Sequence, residues 1–164
     1  MNYYSQKKNY PKSLDKILDW ASDKFEGRLY FHERAYKTMK NADPSKYDAQ
    51  QICDSLVYLA TDYWEYIFGT MSLTELNRKC SEKYGRPYEI TPLSDYTIES
   101  AAFEYKIKYF VGQDGKKHES VLDQHLKVGN KSDNLLRIYF LLDKEKKLIV
   151  IGSLPAHLSN VKKF

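Results

Sequence analysis

Residues 122–158 read LDQHLKVGNKSDNLLRIYFLLDKEKKLIVIGSLPAHL, and the reading of this stretch decides the fold. Leu135 to Leu142 (LLRIYFLL) is apolar except at Arg137 and Tyr139, which the two-residue period of a strand places on one face. Asp143 to Lys147 is a charged reversal of hairpin length, and the apolar run Leu148 to Ile151 follows it. Upstream, His125 and Lys127 also alternate onto one face of an extended segment. Downstream, His157 follows Gly152 and Pro155. Arg, Lys, Tyr and two His are thus expected to converge on one side of a small sheet.

Working outward, the pattern predicts four strands: Ala102 to Val111, His118 to Val128, Leu135 to Leu142 and Lys147 to Ser153. The first hairpin turns at Gln113-Asp114-Gly115, an Asp-Gly signal. The second half of the His118 to Val128 segment also fits a helical period, with Val121, Leu122, His125 and Leu126 on one stripe. Before the sheet, Met1 to Lys12 reads as a polar, tyrosine-rich arm, and helices fill 13–83. Ser13 is a cap for a helix to about Phe25, closed by Gly27. Arg28 to His32 is a short strand and Glu33 to Lys40 a short basic helix. Asp43-Pro44 opens one long helix over Ser45 to Phe68, whose broad apolar face suits packing against a sheet. Ser72 and Glu75 form a capping box for a helix to Lys83, with Leu73 and Leu76 inward. Tyr88 to Ser100 is left as a connector. The expectation is a single α+β domain over 13–164. Its N-terminal helices would pack on one face of a C-terminal antiparallel four-stranded meander at 100–158.

The chain of 164 residues carries a formal charge of +4. Residues 1–111 hold 16 Lys/Arg against 16 Asp/Glu, and residues 112–164 hold 10 against 6, so the last third supplies the whole excess. A basic bias confined there suits a phosphate-bearing partner. The two cysteines, Cys53 and Cys80, have no paired spacing, which argues against a disulfide framework or zinc site and fits a reducing cytoplasm. The polar N-terminus reads as no signal peptide, and no apolar run reaches spanning length, so a cytoplasmic chain without a membrane partner is expected. There is neither a glycine-rich phosphate loop nor a GxSxG elbow, and no cofactor is expected.

An Arg within an apolar strand is costly to bury unpaired, so Arg137 either meets a carboxylate (Asp133, Asp143 or Glu104) or faces an anionic ligand. His157 and His125 are the candidates for proton transfer near neutral pH. Lys127, with Asn130 and Lys131 in the adjoining turn, is a candidate phosphate ligand, and Tyr139 can orient the phosphate or stack on a base. His32 and His118 lack such company and read as structural or exposed. A different pattern, Asp95 with Glu104 and Lys106 on a strand, has the spacing of a metal-dependent nuclease, two carboxylates holding a cation while Lys orients water.

Residues 125–133 (HLKVGNKSD), 137–140 (RIYF), Asp143, 150–152 (VIG) and 157–158 (HL), with the upstream run 28–60, resemble a widespread group of small bacterial proteins of phage-defence-associated type. More distantly, short strand, helices and a meander with a basic strand and a late His resemble the RelE/ParE-type toxin fold. Members similar to RelE cut messenger RNA without metal, using Arg, Lys, Tyr and sometimes His or Glu. That resemblance implies Arg137 as the phosphate-stabilising residue, His157 as acid or base and Lys127 as a phosphate ligand. It implies RNA, an associated ribosome or a cognate antitoxin as partners. The chain departs from that family in its length, its extra N-terminal helix and its long helical insert. The leading expectation is a metal-independent, RelE-like ribonuclease or toxin-type effector. The alternative is a non-catalytic nucleic-acid- or protein-binding module of a defence or toxin–antitoxin system.

Overall fold

The computed structural model describes residues 9–95, 99, 102–129 and 135–158. Its helices are α1 (Ile17–Lys24), α2 (Glu33–Asn41), α3 (Ala49–Tyr58), α4 (Trp64–Phe68), α5 (Leu73–Tyr84) and the short α6 (Ala102–Tyr105). Its strands are β1 (Leu29–Phe31), β2 (Glu89–Pro92), β3 (Lys106–Val111), β4 (Lys117–Val121), β5 (Gln124–Val128), β6 (Leu136–Asp143) and β7 (Leu148–Ser153). The fold is mixed α+β. The main sheet has the order β1-β7-β6-β5-β2, with β1 parallel to β7 and the other pairs antiparallel, while β3 and β4 form a separate two-stranded sheet.

This corrects the expected four-stranded meander, which here runs through only three strands, β5, β6 and β7. The segment predicted as one strand over His118 to Val128 breaks at Leu122-Asp123. Leu122 is fully buried and its N–H donates to Tyr105 O at 2.7 Å, whereas Asp123 O accepts from Leu93 N at 2.9 Å. These two bonds lead in different directions, so the chain leaves one sheet at Leu122 and enters the other at Gln124. Apolar alternation reads straight through such a crossing. Two strands also come from outside the predicted sheet region: β1 at one edge, and β2 from the stretch taken as a connector. Ala102–Tyr105, expected as strand, is a helical turn.

The local signals mostly act where expected. Gly27 at φ +87° and Gly85 at φ +80° follow α1 and α5 in the left-handed region that glycine adopts without strain. Ser72 Oγ accepts from Glu75 N at 3.2 Å to cap α5. Leu76 points inward, but Leu73 is 54% exposed, contrary to expectation. Ser13 does not cap; its Oγ donates to Asp15 Oδ1 at 2.5 Å and the chain begins with a 3-10 turn, Leu14–Lys16. The single helix expected over Ser45 to Phe68 is divided. Asp43 caps only the 3-10 turn Pro44–Lys46, Asp48 caps α3 through Gln50 N at 2.9 Å, and a π-helical turn, Leu59–Tyr63, joins α3 to α4.

Alternation along β6 places an apolar cluster on each face of the sheet. Leu136, Ile138 and Phe140 join Ile149, Ile151, Leu126 and Val128 with Ile17, Leu18, Ile52, Leu56 and Leu59 of the helical layer in the larger cluster. Tyr139 and Leu141 join Val150, Tyr105, Ile107 and Leu122 in the smaller one. Each fully buried aliphatic side chain contributes roughly 1.5–3 kcal/mol, so the larger cluster carries most of the stability. On the second face the β3–β4 sheet leans on the main one at Ile107 and Leu122. There β7 carries a bulge: Tyr139 pairs with Ser153 but Phe140 with Ile151, leaving Gly152 extra. A Cβ on Gly152 would lie 2.6 Å from both Leu122 methyl carbons, so glycine is what lets Leu122 close over the strand.

The hairpin is held from its far edge as well. His32 caps α2, its Nδ1 accepting from Arg34 N at 3.2 Å, which leaves Nε2–H to donate to Lys108 O at 3.0 Å. Arg34 Nη1 donates to Lys106 O at 3.3 Å. Among the described residues, no helix is long and apolar enough to cross a membrane.

Candidate functional site

The uncovered part of the second sheet face holds a cleft of about 240 Å³, lined by Pro92, Leu93, Ser94, Tyr105, His125, Lys127, Arg137, Tyr139 and His157. Five residues singled out in the sequence therefore meet in one place. Antiparallel register explains four of them: His125 lies opposite Tyr139 and Lys127 opposite Arg137, on adjacent strands and alternate positions. The fifth arrives by a different route. Beyond β7, Pro155 O accepts from Arg137 N at 2.8 Å, and Leu158 N donates to Tyr139 Oη at 3.2 Å. These bonds carry His157 back over the mouth of the cleft.

Arg137 is the unusual member. It is only 8% exposed, and its Nε and Nη1 are buried with no hydrogen-bond partner among the described residues. Neither it nor Lys127 makes an ion pair with a described residue. Of the carboxylates considered for Arg137, Asp143 instead accepts from Tyr109 Oη at 2.6 Å, and Asp133 lies outside the described residues. A buried guanidinium with open donors, opposite a second cation, is a demand for negative charge.

The rings are packed against one another. His125 stacks on Tyr139 with centroids 5.7 Å apart and planes 11° from parallel, and Tyr105 meets Tyr139 edge-on at 5.7 Å. His125 Nδ1–H donates to Thr91 O at 3.0 Å, so the neutral ring keeps its lone pair on Nε2. Burial, then the neighbouring Lys127, holds His125 below the usual histidine range, with Arg137 and His157 adding to this and the bond to Thr91 opposing it. His157 is also lowered, by burial and by Arg137 and Lys127, while Glu104 pulls the other way. Tyr139 is pushed up by burial, against the bond from Leu158 and the Arg137 charge.

Asn130 and Lys131 lie outside the described residues. The nuclease-like pattern of Asp95, Glu104 and Lys106 loses its geometric basis, because Glu104 is in α6 and strand β3 begins only at Lys106. Lys106 Nζ instead lies 3.7 Å from Glu119 Oε2. Among the described residues no three His, Cys, Asp or Glu are grouped to hold a metal ion. The sequence reading missed Pro92, Leu93, Ser94 and Tyr105 as parts of the cleft, and Thr91 as the carbonyl that holds His125. No local signal marks them, since β2 reaches the site through pairing with β5, and Tyr105 reaches it through the crossing at Leu122. Compared with protein-family models, with curated proteins and with solved structures, the chain matches none.

Proposed function

We propose that the cleft binds a phosphodiester and that the protein is a metal-independent ribonuclease of RelE-like type, acting in a defence or toxin–antitoxin setting. The observation that carries this reading is the buried Arg137 with two donors unsatisfied among the described residues, set opposite Lys127 and beside a histidine with a fixed tautomer. His125 Nε2 takes the proton from an RNA 2′-hydroxyl. The 2′-oxygen attacks the adjacent phosphorus, and the bond from phosphorus to the 5′-oxygen breaks. His157, in its protonated form, returns a proton to the departing 5′-oxygen. Arg137 and Lys127 stabilise the charge that builds on the non-bridging oxygens, usually the largest catalytic contribution. Tyr139 holds the His125 ring in plane rather than stacking on a base.

The test is incubation of single-stranded RNA with the protein in chelator, reading product ends. Cleavage leaving 2′,3′-cyclic phosphate, lost in Arg137→Met and His125→Gln variants that remain folded, is the expected result. Cleavage only with added magnesium would overturn the mechanism. Binding of RNA without turnover would move the protein to the non-catalytic module.

A further inference from the structure

Four of the nine residues lining the cleft carry aromatic or imidazole rings, and three of them, Tyr105, Tyr139 and His125, offer no open face to a ligand. Tyr105 is 0% exposed, Tyr139 1% and His125 8%, and each spends its face or edge on another of the three. A nucleobase stacks on open aromatic faces, and among the described lining residues the one exposed ring is His157, the proton donor of the proposed mechanism. Base edges are read chiefly by amide and carboxylate side chains together with Arg and Lys, and among the described residues the lining contains no Asn, Gln, Asp or Glu. The two cationic readers in the described lining, Arg137 and Lys127, are the groups that face the phosphoryl oxygens in this reading, and Arg137 is only 8% exposed. The volume points the same way. About 240 Å³ falls below the roughly 300–1,000 Å³ of sites that enclose a whole small ligand. What the walls do present is cationic N–H on one side and, on the other, an imidazole lone pair and hydroxyl groups.

We propose that this cleft seats one phosphoryl group with its attached sugar and reads no base, so that the ligand class is a sugar phosphate in a chain of any sequence. This rests on the reading of the cleft as a phosphate site but not on catalysis. The guanidinium and Lys127 take the phosphoryl oxygens, and His125 Nε2 accepts from a sugar hydroxyl. Bases remain outside, where the described lining offers no amide or carboxylate side chain to tell them apart.

The experiment is equilibrium binding to short single-stranded 2′-O-methyl homopolymers of uridine, adenosine and cytidine, which lack the attacking hydroxyl, and with it the contact to His125, and so report the phosphate contacts without turnover. Ribose 5-phosphate, uridine monophosphate and uridine are the competitors. The three homopolymers should agree within about threefold. Ribose 5-phosphate should displace them as well as the nucleotide does, and uridine should not displace them. Arg137→Met and, independently, the half-buried Lys127→Ala should each weaken binding by about tenfold or more, so a misfolded variant cannot decide the result alone. A preference above about tenfold for one homopolymer, or displacement by uridine, would overturn the base-blind inference while leaving the phosphate site standing. If no phosphorylated ligand binds wild type, or if both variants bind as it does, the inference and the phosphate reading fall together.

Discussion

Lys127 and Arg137 face each other directly across the β5–β6 ladder, and neither makes an ion pair with a described residue. Like charges so placed repel by several tenths of a kcal/mol to about 1 kcal/mol in a sheet. The folded state therefore carries a standing repulsion that a bound anion relieves. Lys127→Ala should raise the stability of the unliganded protein by up to about 1 kcal/mol in urea denaturation. Ribose 5-phosphate should raise the melting temperature of wild type, compared with chloride at equal ionic strength, and should not raise that of Arg137→Met.

A second expectation concerns pH and folding. His125 is buried and held below its ordinary value, first by burial and then by Lys127. The folded state thus binds its proton less readily than the unfolded chain. Stability is full above the unfolded value, about 6.5, and falls as the pH drops towards the lowered folded value. Urea denaturation at successive pH values should show this loss, and His125→Phe should flatten it. A loss of equal size in the variant would assign the effect to other groups.

Activity, on the proposed mechanism, needs His125 neutral and His157 protonated. Both are held below the usual histidine range, chiefly by burial. A bell-shaped rate profile should therefore peak on the acid side of about pH 6.5. A profile rising steadily into the alkaline range would rule out this pair as base and acid.

Gly152 supplies a test of packing. Its missing side chain is where the Leu122 methyls sit, and Leu122 is fully buried with little room to swing aside. Gly152→Ala should cost about 1–3 kcal/mol. In a Leu122→Ala background the same change should cost much less, and a double-mutant cycle measures the difference. Equal costs in both backgrounds would mean that the two residues do not share the space.

The cysteines should be inert in the native protein. Burial pushes the Cys53 thiol up to about 12 and the Cys80 thiol up to about 11, and both side chains are fully enclosed. Cys80 Sγ also accepts from Tyr88 N at 3.2 Å. A thiol-reactive disulfide reagent should label neither at pH 8 without denaturant and both in it. Rapid native labelling would show that the helical layer opens locally.

Much of the site was legible because it lies on adjacent strands. Two-residue alternation puts Arg137 with Tyr139 and His125 with Lys127, and the ladder between β5 and β6 then joins the pairs. The metal-type grouping failed for the converse reason. Glu104 and Lys106 share a strand face only if the segment is extended, and Glu104 lies in a helical turn.

By itself, then, the sequence determined what local rules govern: the cap at Ser72, the glycine stop at Gly27, the Asp-Gly hairpin, and the polar stripe across an apolar strand. These depend on neighbours within a few residues, whose geometry the chain cannot escape. The tertiary structure alone decided that β1 and β2 join the sheet and that the crossing at Leu122-Asp123 sends β3 and β4 into a sheet of their own. It also left Arg137 buried with two donors that meet no acceptor among the described residues. Backbone bonding between distant segments carries no periodic signature. Whether a buried charge finds a partner depends on what the fold sets around it, and here the fold set another cation opposite.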